Sequence, residues 1–247
     1  MDIGLNTIVA YALASLLTGF FKTSFGGGIG MVVAPILTML ISPRLTMGII
    51  APLMVLGDLL VVYFFWKRWD GKFIVALLPS MAVGAVGGTM LIAYLSNAGI
   101  RYVIALFALT YAVYHLVRMI RRTEIAYAPP NRTAGHLVGL LAGFSTSAAH
   151  SGGIITSPYF VASGLTKGAV VATGFGLYAI TNWVKLGSYV WAGLVNGHIM
   201  LLTLYTLPLL ALGAYLGNRA HRAASSRVFN SVILILAISG ALKLLLF

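Results

Sequence analysis

Lys22-Thr23-Ser24-Phe25-Gly26-Gly27-Gly28 and Ser145-Thr146-Ser147-Ala148-Ala149-His150-Ser151-Gly152-Gly153 are two polar, glycine-bearing interruptions in an otherwise apolar chain. Each is preceded by an apolar run, residues 5–21 and 137–147, and followed by a shorter one, residues 29–41 and 154–162. At about 1.5 Å of rise per residue the shorter runs cannot cross a hydrocarbon layer of about 30 Å. Each is expected to be half of a discontinuous or re-entrant helix. Non-helical backbone survives at membrane depth only where protein or a wet cavity satisfies it. The unpaired N–H groups that open a short helix, aided by its dipole, favour an anion. The structural alternative is that the glycines permit close helix packing and the hydroxyls cap helix ends.

The membrane assignment rests on composition. Sixty per cent of the 247 residues are hydrophobic and 8% are charged, against about a quarter charged in soluble domains. Runs at 45–66, 73–95, 102–120, 167–191, 199–216 and 228–247 are long and apolar enough to be spans. Sixteen Lys and Arg against four Asp and Glu give a net charge of +12. The basic residues punctuate the apolar runs, as at Lys67, Arg68 and Lys72, which is how cytoplasmic loops are marked. Lipids are thus the expected partners of this charge, nucleic acid is not, and attraction of anionic solutes is a secondary role. Cysteine is absent, which excludes disulfides, Cys-ligated zinc and Fe–S clusters. With so few His and acidic residues no metal site is expected, and no cofactor motif is present. Residues 1–21 carry no Lys or Arg, so the first apolar run is expected to be retained rather than cleaved as a signal.

Self-comparison finds a duplication. Thr18-Gly19-Phe20 pairs with Ala142-Gly143-Phe144, and Gly30 and Pro35 with Gly153 and Pro158 at equal spacing. Leu45-Thr46-Met47-Gly48 pairs with Leu165-Thr166-Lys167-Gly168, Asp70-Gly71 with Asn196-Gly197, and Gly84, Ala85 and Gly88 with Gly213, Ala214 and Gly217. The preserved order carries more weight than any single match. The chain divides into a first repeat at 1–120, a polar cytoplasmic connector at 121–133 and a second repeat at 134–247. Basic residues place the loop 67–72 in the cytoplasm, whereas its counterpart around 192–197 has no Lys or Arg and belongs outside. Corresponding loops on opposite faces make the repeats inverted, an arrangement common in secondary transporters. The expected fold is all-α and integral to the membrane: two inverted tandem repeats, each with a discontinuous or re-entrant helix pair followed by three spanning helices.

Charged groups inside spans are costly and usually paired or functional. Lys22 adjoins the first break and is positioned to attract an anion, or to snorkel to an interface. Asp58, inside the run 45–66, is a candidate for proton or sodium coupling, or for a structural ion pair. Lys185 is a candidate partner of Asp58 or a substrate contact. His150, in the second break, is a second coupling candidate or a hydrogen-bonded helix-end residue. Thr23, Ser24, Gly27, Gly28, Ser147, His150, Ser151 and Gly152 are the expected substrate-binding residues, with Lys22 and Lys185 tuning the potential. His150 beside Ser145, Ser147 and Ser151 invites a serine-hydrolase reading, but neighbours on one local break rarely align a His, an orienting acid and an oxyanion hole. No enzyme is expected.

The ordered set Leu16-Leu17-Thr18-Gly19-Phe20, Gly26-Gly27-Gly28-Ile29-Gly30, Pro35, Leu45-Thr46-Met47-Gly48 and Gly84-Ala85-Val86-Gly87-Gly88, with its second-half echoes, resembles the sulfite exporter TauE/SafE family, also called toluene sulfonate uptake permeases. The resemblance covers nearly the whole chain apart from the central connector. It implies transport of sulfite, sulfoacetate or another organosulfonate across a bacterial inner membrane. The second break departs from the first, with Ala148-Ala149-His150-Ser151 where the first has Ser24-Phe25-Gly26-Gly27, so an asymmetric site is expected. An uncoupled anion channel or uniporter, and a non-transporting membrane assembly or signalling subunit, are the rival readings.

Overall fold

The computed structural model describes residues 5–25, 30–65, 68–121, 126–223 and 226–246. Among these every regular element is a helix: α1 Leu5–Phe25, α2 Gly30–Thr38, α3 Pro43–Phe65, α4 Gly71–Tyr94, α5 Asn97–Arg121, α6 Arg132–Ala149, α7 Gly153–Ala162, α8 Lys167–Trp191, α9 Gly197–Tyr205, α10 Leu207–Ala223 and α11 Ser226–Leu246. Polar side chains set several starts by accepting an otherwise unpaired backbone N–H. Asp70 caps α4 through Lys72 N, Asn131 caps α6 through Thr133 N, and Asn196 caps α9 through Ile199 N.

Helices α1, α3, α4 and α5 each contain an apolar window long enough to cross a membrane, and α9 with α10 gives up to five such spans. The run 199–216, expected as one span, is instead bent by 54° between α9 and α10. Thr206 sits at the bend, where Ser15 Oγ of α1 donates to its hydroxyl at 2.6 Å, and Pro208 contributes no backbone donor. Pro208 follows Gly197 by eleven residues, whereas Pro79 follows Gly71 by eight in the uninterrupted α4. The three additional residues are accommodated by the bend.

The surface is apolar and part of the interior is charged, the reverse of a water-soluble protein. Val75, Tyr94, Leu106, Ile120, Leu137 and Trp191 are exposed, while Lys22, Asp58, His150 and Lys185 are buried. A lipid environment favours this arrangement, because apolar side chains face the hydrocarbon and polar groups face each other.

Glycines decide which helices touch. A methyl group on Gly139 would strike Ser80 and the Leu77 carbonyl, one on Gly143 the Met81 carbonyl, and one on Gly88 the Phe144 carbonyl. The paired numbers rise together, so α4 and α6 run in the same direction. Gly19 abuts Leu210 and Ala214, Gly213 abuts Leu16, and Gly217 abuts Phe20, which makes α1 and α10 parallel as well. Small residues four apart allow such backbone contact in membranes, where dispersion and weak polar contacts hold helices together. The positions are those matched in the sequence duplication: Gly19 with Gly143, Gly84 with Gly213, and Gly88 with Gly217. The helix before each break thus packs on the glycine-bearing helix of the other half. Helix α3 also packs on α8, and α5 on α11.

Candidate functional site

The first interruption lies between the end of α1 at Phe25 and the start of α2 at Gly30. Gly26, Gly27 and Gly28 lie outside the described residues, so the expected roles of Gly27 and Gly28 have no structural account. The hydroxyls before the break are engaged with backbone. Thr23 Oγ1 donates to the carbonyls of Gly19 and Ala214 at 3.1 and 2.9 Å, and Ser24 Oγ donates to the Phe20 carbonyl.

In the second interruption α6 stops at Ala149 and α7 begins at Gly153. His150 ends α6 with φ 52°, and among the described residues no other non-glycine has a positive φ. L-residues adopt this left-handed conformation at a cost of about 1–2 kcal/mol, and such strain tends to be found where surrounding structure and function require it. The bonds holding it are local. His150 N donates to the Thr146 carbonyl at 3.0 Å and Ser151 N to the Ser145 carbonyl at 3.3 Å. The Ser145 and Ser151 hydroxyls lie 2.6 Å apart, and Gly152 N donates to Thr146 Oγ1 at 3.2 Å.

The start of α2 meets the second interruption. A methyl group on Gly30 would collide with the Ala149 carbonyl and His150 Cβ, so the first turn of α2 rests on the backbone of the second break. Only glycine, lacking Cβ, permits that approach.

Beside this junction lies a buried charged cluster. Lys22 Nζ is 2.7 Å from Asp58 Oδ1, an ion pair rather than an aligned hydrogen bond, and donates to the Met54 carbonyl at 2.7 Å. Asn182 Nδ2 donates to the other carboxylate oxygen, Oδ2, at 2.6 Å. Gly57 makes room for the lysine stem, which passes 2.7 Å from where a Cβ would stand. Asp58 is therefore held by Lys22 and Asn182, and Lys185 is not its direct partner. Lys22 is 3% exposed, so it does not snorkel to an interface.

Lys185, 1% exposed, points instead to His150, with Nζ 3.0 Å from Nδ1. At that separation one nitrogen donates and the other accepts, so the two side chains share one hydrogen bond. The charges of Lys22 and Asp58 act on Lys185 without direct contact. Lys22 and Asp58 compensate each other, and among the described residues no carboxylate lies within ion-pair distance of Lys185. Two buried polar atoms belong to the second break. His150 Nε2, near the Met47 backbone, and Ser147 Oγ lack a hydrogen bond of ordinary geometry. The Ser147 carbonyl accepts from Tyr189 OH at 2.5 Å.

The structure thus brings together Lys22, Asp58, His150 and Lys185, with Ser147 and Ser151 one turn or less from His150. Thr23 and Ser24 face backbone carbonyls, and Gly152 packs against Thr146 and Tyr178. Asn182 and Tyr189 were not singled out as functional from the sequence, although the signal was present. Tyr178, Asn182, Lys185 and Tyr189 follow at intervals of four, three and four along α8, which places a polar stripe on one face of a membrane helix.

The family model described as sulfite exporter TauE/SafE matches residues 11–244 of this chain. No curated protein and no solved structure gives a match.

Proposed function

Since the chain belongs to the sulfite exporter TauE/SafE family, we propose that it is a secondary transporter that moves a small sulfur-containing anion, such as sulfite or an organosulfonate, across the bacterial inner membrane through a midplane site between its two helix breaks. The observation that carries this reading is the make-up of the buried cluster, three basic side chains, Lys22, His150 and Lys185, around the carboxylate of Asp58. Lys185 contacts His150 rather than a carboxylate, because Asp58 is already paired with Lys22. An unpaired charge inside a membrane is costly, and an arriving oxyanion would offset it. His150 Nε2 is a second buried ring nitrogen on the same side chain, able when protonated to donate to an oxygen of a sulfonate or sulfite. Inverted repeats, supported by the reciprocal glycine contacts of α1 with α10 and α6 with α4, would let the surroundings of the site rock about it.

Coupling is assigned to a proton on the Lys185–His150 pair. A sodium ion at Asp58 would have to occupy the space taken by Lys22 Nζ, 2.7 Å from the carboxylate. Asp58 instead compensates the charge of Lys22.

In proteoliposomes, labelled sulfite and an organosulfonate should compete with each other for uptake, and counterflow should saturate. Failure of every sulfur oxyanion to bind, alongside binding of a cation, overturns the reading. Lys185→Met should lower sulfonate affinity at least tenfold while leaving the melting temperature unchanged or higher, because an apolar residue of similar length replaces a buried charge. His150→Asn, a residue tolerant of positive φ, should fold normally and take up anion without stimulation by an inward proton gradient. Unchanged proton stimulation in that variant would remove His150 from the coupling role.

A further inference from the structure

At the end of the molecule where α4 and α6 begin, a cavity of about 790 Å³ opens between their first turns. Lys72, Arg132 and His136 line its mouth, and Phe73 and Tyr159 form its floor, their rings packed edge to face with centroids 6.0 Å apart. Among the described residues neither Lys72 nor Arg132 has a carboxylate within ion-pair distance; Asp70 is outside the lining and spends an oxygen on Lys72 N. Because α4 and α6 are parallel, both positive dipole ends also face the same space. Beside the basic mouth the lining is apolar, with Val75, Ala76 and Pro79 of α4, and the outer faces of both helices continue apolar and exposed at Val75 and Val83 on α4 and Leu137 and Leu141 on α6.

We infer that this cavity is a binding site for an anionic phospholipid. Its phosphate sits between Lys72 and Arg132, and its acyl chains lie along the exposed apolar faces beside the cavity. A free phosphate would use the basic mouth but leave the apolar lining without a partner, whereas a phospholipid matches both parts. The basic segments put this end of the molecule in the cytoplasm, and basic pockets between membrane helices on that face suit anionic headgroups. The site sits at the base of the α4–α6 pair whose upper turns carry Ser147, so its occupancy would hold the helix that ends at the second break. The inference does not depend on which solute is transported.

The test is native mass spectrometry of the purified full-length protein with phosphatidylglycerol, phosphatidylcholine or inorganic phosphate, paired with thermal unfolding. Phosphatidylglycerol should remain bound and raise the melting temperature, and the other two should do neither. Lys72→Ala with Arg132→Ala should weaken phosphatidylglycerol retention on the order of 30-fold, from about 1 kcal/mol per basic residue near the surface. Lys72→Arg with Arg132→Lys should retain it, which separates loss of charge from loss of fold. Equal retention of phosphatidylcholine, or retention unchanged in the alanine variant, overturns the proposal. So does equal stabilisation by phosphate or a sulfonate alone, which would make the cavity a vestibule for solute.

Discussion

Lys22 and Asp58 show how one neighbour changes what a buried charge means. Alone, Asp58 in an apolar helix reads as an ion-coupling carboxylate. With Lys22 Nζ at 2.7 Å and Asn182 Nδ2 at 2.6 Å, it is a paired carboxylate tying α1, α3 and α8 together. Removing one partner leaves the other charged and buried, at a cost of about 3–5 kcal/mol. Lys22→Met should therefore unfold at markedly lower temperature than the parent protein in detergent, and Lys22→Met combined with Asp58→Leu should recover much of the loss. Recovery no better than in the single variant would mean that the pair does more than neutralise itself. Which residues carry charge was legible in the sequence, because only a few Lys, His and acidic residues fall inside apolar runs. Their pairing was not. Lys22 and Asp58 are 36 positions apart, and His150 and Lys185 are 35 apart; each pair meets only through the packing of separate helices.

At the scale of helices, glycine acts through the contacts it permits rather than through flexibility. Gly143 and Gly187 both lie inside helices, but a methyl group on Gly143 would strike the Met81 carbonyl, and one on Gly187 would meet nothing within 4 Å. Gly187→Ala should stabilise α8 by about 0.5–1 kcal/mol, the ordinary helix preference for alanine. Gly143→Ala should destabilise the protein, since backbone on α4 must move, and thermal unfolding of both variants in one detergent measures the contrast. Equal effects would mean that α4 and α6 are farther apart than their glycines imply. Both helix breaks were legible as clusters of Gly, Ser and His. The bend at Thr206 was missed, because residues 199–216 have no internal polar or glycine cluster. It arises from the spacing of Pro208 and the contact of Thr206 with Ser15.

The whole molecule offers a direct test of its duplication, because it contains no cysteine to remove. If the repeats are inverted, a single cysteine at Lys72 should react with an impermeant maleimide only from the cytoplasmic side, and one at Asn196 only from outside. Labelling of both from one side would make the repeats parallel. The sequence by itself determined that this is a helical membrane protein with a duplicated glycine pattern, since composition and local spacing decide whether a segment prefers lipid and where helices are interrupted. It also located the residues whose burial demands a partner. Only the tertiary structure decided that α2 rests on the second break at Gly30, that Asp58 is held by Lys22, and that Lys185 is left facing His150. Those outcomes depend on helix direction and close approach between distant parts of the chain, and no local pattern encodes the energy of a contact that forms only when separate helices pack.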